Sequence, residues 1–249
     1  MSIKSKVLAA AATLTLVGGV GATGALTAGT ASAATPSCGR SCINVFTNQF
    51  GTHRSPNFVV DTLRQGEKAN QPIILFRTAN YDPAEDFTVA YQGTVRDFYD
   101  ANLVSSELAL HYGDLRHDGF PNDPAFEDEY APFGVDSGLC VGVATAATSG
   151  EGVTLQPCGV SANTVWILDT ADSWGDFGSR SYLPLINGSD TNFSHPLVLT
   201  YPTNAFPTDM PRPQLTVTNL TGAAQGEGGP EIGTINSNQL WGADFGVLG

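Results

Sequence analysis

The chain has 249 residues, with 24 Asp and Glu against 11 Lys and Arg, a formal net charge of −13, and four cysteines. A chain this acidic and without a basic cluster is repelled by nucleic acid and anionic membrane surfaces, which excludes both as expected partners. Beyond the first residues no apolar run is long enough to span a bilayer.

Lys4 and Lys6 precede an apolar stretch from Val7 to Val20, and Ala31-Ser32-Ala33 offers a small-residue cleavage site. Residues 1–34 therefore read as a cleaved secretory signal. Its removal leaves 9 basic against 24 acidic residues, a formal net charge of −15. Residues 35–249 are expected to form one extracellular domain, long enough for a single sizeable core. In an oxidising destination the four cysteines are expected to pair, and four allow three pairings.

Helical periodicity is scarce. Short apolar runs rich in β-branched residues recur instead, each closed by Gly, Pro, Asn or Asp: Ile43–Phe46, Phe58–Val60, Ile73–Phe76 and Phe87–Tyr91. They continue at Val141–Val143, Val153–Leu155, Val165–Leu168, Leu197–Leu199 and Leu215–Val217. That is the pattern of many short strands in a sandwich or barrel. Ser105–His111 has room for one or two helical turns.

Three segments share a frame: Gln71–Phe76, Gly152–Gln156 and His195–Thr200. Each is followed by an apolar strand, at Phe87–Val89, Trp166–Leu168 and Leu215–Val217. Each is preceded by another, at Val59–Asp61, Cys140–Gly142 and Leu183–Leu185. Three such units are what a β-trefoil requires, because each leaves its apolar face open until three close a barrel. Leu75 to Leu155 is 80 residues and Leu155 to Leu199 is 44, so a long insertion is expected between units one and two, at about 92–130. It ends in Glu127-Asp128-Glu129, read as part of a solvated excursion. Asn238-Gln239-Leu240-Trp241 contains a Q-x-W beyond the third unit in this frame. It either closes the barrel against the N-terminal strand or is the third unit's own Q-x-W.

The segment Ser137–Asp169, SGLCVGVATAATSGEGVTLQPCGVSANTVWILD, carries a Cys opening one strand, an apolar strand ending in a second Cys, and Trp166 in a Q-x-W slot. In that order it resembles one repeat of the ricin-B-type β-trefoil. The resemblance implies an all-β fold with a three-fold internal pseudo-repeat, and a Cys140–Cys158 disulfide. Cys38 and Cys42 are then left to pair. As a C-x3-C with no nearby His, they are weak as a metal site.

In sugar-binding repeats of that family an Asp near the end of one strand accepts hydroxyl hydrogen bonds, and an aromatic further on stacks on the sugar. A pyranose has one C–H face and a rim of hydroxyls, so it takes a flat apolar platform beside directional acceptors. Unit one keeps these groups: Asp61 lies fifteen residues before Phe76, Asn80, Tyr81 and Asp82 fill the following loop, and Glu85 takes the Gln slot. Asp61, Phe76, Asn80 and Asp82 are the candidate ligand-binding residues. The competing reading makes Phe76 a core aromatic and Asp61 a turn-capping acid. Unit two has Gly142, Gln156 and Thr164 in these slots, and in unit three Asn187, Asp190, Asn192 and Tyr201 fall out of frame. Trp166, Trp174 and Trp241 read as packing residues.

No catalytic residues, metal site or cofactor is expected. The histidines form no HExxH, and Gly134-Val135-Asp136-Ser137-Gly138 is not a G-x-S-x-G elbow. The resemblance therefore implies a secreted, monomeric, non-catalytic carbohydrate-binding protein. The alternatives are a protein-binding or inhibitor-type trefoil using the 92–130 insertion and, third, an extracellular hydrolase.

Overall fold

The computed structural model describes residues 42–47, 51–52, 55–56, 58–79, 81–113, 122–170, 182–202, 212–221 and 235–244. The chain divides after Ser32, and every described residue lies in the unit Ala33–Gly249.

Among the described residues twelve strands fall into three sets of four. The first is β1 (Asn44–Thr47), β2 (Phe58–Thr62), β3 (Ile73–Arg77) and β4 (Phe87–Thr94). The second is β5 (Pro124–Tyr130), β6 (Leu139–Gly142), β7 (Thr154–Pro157) and β8 (Val165–Leu168). The third is β9 (Leu185–Asn187), β10 (Leu197–Thr200), β11 (Thr216–Asn219) and β12 (Trp241–Asp244). A two-residue pair, Gly51–Thr52 with Ser55–Pro56, sits between β1 and β2.

The outer strands of each set close a six-stranded barrel. β1 pairs with β12, β4 with β5, β5 with β8 and β8 with β9, all antiparallel. Single bridges at Ile43–Phe87 and Leu183–Trp241 complete the circuit. The inner strands form three hairpins: β2–β3, β6–β7 and β10–β11. Closure leaves the barrel without an edge, which is how an all-β chain avoids an unpaired row of backbone groups.

A ring of three backbone hydrogen bonds ties the hairpins together. Ile73 N–H donates to the Val153 carbonyl at 3.0 Å, Val153 to Leu215 at 2.8 Å, and Leu215 to Ile73 at 2.9 Å. This cyclic exchange makes Ile73, Val153 and Leu215 equivalent and sets the three-fold axis. The fold is a β-trefoil.

That ring corrects the sequence frame of unit three. Leu197–Thr200 is its second strand, equivalent to Phe58–Thr62 and Leu139–Gly142, whereas Leu215–Asn219 supplies the third. Its fourth strand begins at Trp241, so Gln239-Leu240-Trp241 is the unit's own Q-x-W. The indole N–H groups bear this out: Trp166 donates to the Val141 carbonyl at 2.9 Å, and Trp241 to the equivalent Leu199 carbonyl at 2.7 Å. Both rings are buried in the main core, with Ile43, Val60, Leu75, Phe87, Val141, Leu155 and Leu199.

The Gln slot has one task in all three units. Six residues beyond each ring position a backbone N–H needs an acceptor. Ala79 donates to Glu85 Oε1 at 2.7 Å, Gly159 to Glu127 Oε1 at 2.9 Å, and Thr221 to Gln239 Oε1 at 2.9 Å. In unit two the slot residue, Thr164, is too short and instead donates to Glu127 at 2.6 Å.

The excursion between units one and two is helical. α1 (Val95–Asp100) starts from a capping box in which Thr94 accepts from Asp97 N–H and the Asp97 carboxylate accepts from Thr94 N–H. α2 (Ser106–Tyr112) is capped by Ser105, whose hydroxyl accepts from Leu108 N–H at 3.1 Å. Val95, Phe98, Leu108, Ala109 and Tyr112 join Val165, Ile167, Ile186 and Val198 in a second core outside the barrel wall. The expected 92–130 span also takes in barrel strand at both ends, the close of β4 and all of β5. Glu127, Asp128 and Glu129 are thus buried in β5 and not solvated. Glu129 Oε1 accepts from Gly138 N–H at 2.6 Å. Asp128 shares the strand face of Phe126 and Tyr130, where burial pushes its carboxyl well above the usual range.

The Cys140–Cys158 disulfide joins β6 to the residue that follows β7, as the resemblance implied. Cys42 is also disulfide-bonded, while Cys38 lies outside the described residues. Among the described residues no helix is long and apolar enough to cross a membrane.

Gln239 also donates to Asn219 O at 2.9 Å and Thr218 Oγ1 at 3.0 Å. Gln239→Ala should therefore lower unfolding free energy in a urea titration by about 0.5–1.5 kcal/mol, the net worth of a part-buried hydrogen bond. Gln239→Glu, copying Glu85, should be tolerated better than Ala.

Candidate functional site

The β2–β3 hairpin places Asp61 opposite Ile74 and Val59 opposite Phe76. Side chains alternate along a strand, so Asp61 and Phe76 project from one face at diagonal register, while Val60, Ile73 and Leu75 point into the core. The equivalent pairs are Gly142 with Gln156 and Thr200 with Thr218, set by the same register in β6–β7 and β10–β11. Unit one alone carries an acid and an aromatic at these two positions.

The loop after β3 completes the site. Asp82 caps a turn of 3-10 helix, Pro83–Glu85, by accepting from Ala84 N–H at 3.0 Å, and the same oxygen accepts from Gln65 Nε2 at 3.1 Å. That turn brings Glu85 back under the hairpin, so single carboxylate oxygens of Asp61, Asp82 and Glu85 come within 4.8 Å of one another. Tyr81, immediately before Asp82, is 69% exposed. Arg64, Gln65 and Tyr81 all have positive φ, between 54° and 59°, so strained non-glycine backbone brackets the site on both sides. Asn80 lies outside the described residues.

Phe76 is half-buried, and the guanidinium of Arg212 lies over its ring, 3.5 Å from the centroid. The ring is neither a core aromatic nor an open platform. Its free face is taken by a cation that brings hydrogen-bond donors to the rim of the carboxylate cluster.

The electrostatics are those of crowded, buried acids. Asp61 is 2% exposed, and its pKa is pushed up to about 8, first by burial, then by the Asp82 carboxylate, with Arg212 pulling it back down. Glu85 is likewise raised to about 8, chiefly by burial, against the favourable hydrogen bond from Ala79. The sequence reading took Asp61, Phe76 and Asp82 as site residues, and the structure brings them together. It adds Glu85, which serves both the Gln slot and the site, and Arg212, which arrives from the loop before β11. A charged residue in a Gln slot was a visible sign for Glu85. Nothing near Arg212 in the sequence gave a comparable sign.

Elsewhere the residues singled out are structural. Asn187 and Tyr201 are fully buried, and Asp190 caps a turn by accepting from Asn192 N–H at 3.1 Å. Trp174, His53 and His117 lie outside the described residues.

No family model matches the chain, and no curated protein matches it either. Among solved structures it is similar to a designed three-fold symmetric protein, ThreeFoil. Identity is 13%, covering 82% of this chain and 97% of that one, with a TM-score of 0.48. It is also similar to a mosquitocidal holotoxin at 12% identity, over 81% of this chain and 17% of the toxin, with a TM-score of 0.44. The trefoil assignment rests on the strand pairings and the three-fold ring.

A carboxyl raised in the folded state holds a proton that the unfolded chain, with values near 3.8 and 4.5, gives up. The stability tied to that proton is fully present below about pH 4 and is lost as pH rises towards about 8. In chelator-treated buffer, Tm should therefore fall from about pH 5 to pH 8, and Asp61→Asn should flatten the fall. A scanning-calorimetry series across that range checks it.

Proposed function

We propose that the protein is a secreted, non-catalytic binding module of the ricin-B-like kind that takes a carbohydrate at unit one. What supports this reading is the gathering of acceptors and aromatic at one of three equivalent hairpins, with a donor, Arg212, brought to it from unit three. Asp61 stands at the register position where unit two has Gly142 and unit three has Thr200, and Asp82 joins it from the following loop. A sugar presents vicinal hydroxyls that both donate and accept. The carboxylates take the donated hydrogens, and Arg212, steadied on Phe76, donates to the neighbouring oxygen. The C–H face then falls to Tyr81, the exposed aromatic of the loop, because Arg212 already covers Phe76. The export signal at Lys4–Ala33 and the Cys140–Cys158 disulfide both fit an oxidising, extracellular destination.

The helical insertion supports a protein-recognition reading less well. The apolar residues of its two described helices are spent on the outer barrel wall as a second core, and residues 114–121 lie outside the described residues.

The test is retention of the mature protein on a glycan and polysaccharide array, beside three variants. Tyr81→Ala should lose at least about tenfold in retention, while shifting stability by no more than about 0.5 kcal/mol because the ring is exposed. Arg212→Ala should lose retention as well. Gln156→Ala, at the equivalent position of unit two, should retain like the parent. Retention that survives both Tyr81→Ala and Arg212→Ala would place any glycan site elsewhere.

A further inference from the structure

We infer that Asp61, Asp82 and Glu85 hold a calcium ion. The three carboxylates offer one oxygen each, all within 4.8 Å of one another. Calcium binds oxygen at 2.3–2.6 Å, so two ligand atoms on opposite sides of one ion stand about 4.6–5.2 Å apart. Three oxygens no more than 4.8 Å apart lie within about 2.8 Å of a common centre, so small side-chain adjustments bring all three to a single ion. Magnesium, with its shorter bonds and strict octahedron, fits this spread less well.

A cluster of acids alone would show little, but Asp61 adds an independent observation. Its side chain is 2% exposed, points at the other two carboxylates and accepts no hydrogen bond from any described residue. A buried carboxylate ordinarily holds two or three donors or a cation. The partners of the other two acids are equally telling. Asp82 receives Gln65 and Ala84 on Oδ1, and Glu85 receives Ala79 on Oε1. Each is thus oriented through one oxygen, with its second oxygen given no donor. Arg212 is committed to the Phe76 face and makes no ion pair with any of the three within 4.0 Å. Unit three shows the neutral form of the same place: Thr200 stands for Asp61 and Gln239 for Glu85, and their groups satisfy each other, Gln239 Nε2 lying 3.4 Å from Thr200 Oγ1. Unit one has replaced a self-satisfied pair with acids that need a positive charge between them.

The ion alone is the probe, so this inference stands or falls apart from glycan binding. With only three protein ligands the affinity expected is that of extracellular calcium modules, on the order of 10⁻⁴–10⁻³ M. In chelator-treated protein, about 10 mM CaCl2 should raise Tm by about 3–10 °C over NaCl of equal ionic strength. Terbium should bind at the same place and luminesce on tyrosine excitation through Tyr81, and calcium should quench that signal by competition. Asp61→Asn and Glu85→Gln should each abolish the calcium increment. Each should also leave the ion-free protein at least as stable, because each removes a carboxyl crowded against two others while Glu85→Gln keeps the acceptor for Ala79. Two results would overturn the inference. One is a Tm indifferent to calcium with no competed terbium signal. The other is a calcium response of equal size in the parent and both variants. Calcium binding without array retention would leave this site standing and sink the glycan reading; the reverse would do the opposite.

Discussion

Three hydrogen bonds around one axis govern the rest of this molecule. Ile73, Val153 and Leu215 each donate to the next and accept from the last, so no hairpin can shift without breaking two bonds at once. Their cost is sequence separation. Ring positions lie 80 and 62 residues apart, so most of the chain must be placed before the ring pays back its loop-closure entropy. Local devices carry the structure until then: the disulfide from β6 to the residue after β7, the indole N–H bonds of Trp166 and Trp241, and the caps on α1 and α2.

The ring also dictates a second requirement. It fixes the chain so that the N–H groups of Ala79, Gly159 and Thr221 end beside the start of each fourth strand. Each needs an acceptor, and the chain has solved this three ways: a charged Glu85, a Glu127 lent by the neighbouring strand through Thr164, and a neutral Gln239. The neutral solution satisfies every polar group locally. The first leaves a second carboxylate oxygen, and that oxygen is what the proposed site draws on. Divergence from three-fold symmetry, rather than symmetry itself, is where chemistry enters.

How much of this was legible in the sequence follows from which interactions are local. Cys140, Cys158 and Trp166 sit within 27 residues of one another, so their spacing stated their arrangement. The pairing of Asp61 with Phe76 was legible too, because one short hairpin fixes their common face by alternation. Unit three was misframed by one strand because His195-Pro196-Leu197-Val198-Leu199 is the strongest apolar run in its region, whereas the true third strand, Thr216–Asn219, alternates with polar residues and reads weakly. Glu127-Asp128-Glu129 misled for the opposite reason. Three acids in a row look solvated, yet they lie buried in a strand, where Gly138 across the next turn and the more distant Gly159 and Thr164 supply donors to two of them. Charge patterning speaks for burial only when partners lie nearby in sequence.

Arg212 shows the same limit at the site. Among the chain's eleven Lys and Arg, this one stands where four acids, Asp61, Asp82, Glu85 and Asp86, crowd together. Its position over Phe76 serves the aromatic quadrupole and leaves the carboxylates only its longer-range attraction, which offsets part of the burial cost of Asp61 and no more. Had the arginine formed a close ion pair with Asp61, the cluster would be complete in itself and inert. Held aside on the ring, it keeps the acids uncompensated and the donor edge free, which is the state a binding site requires: polar groups arranged by the fold and not yet satisfied by it.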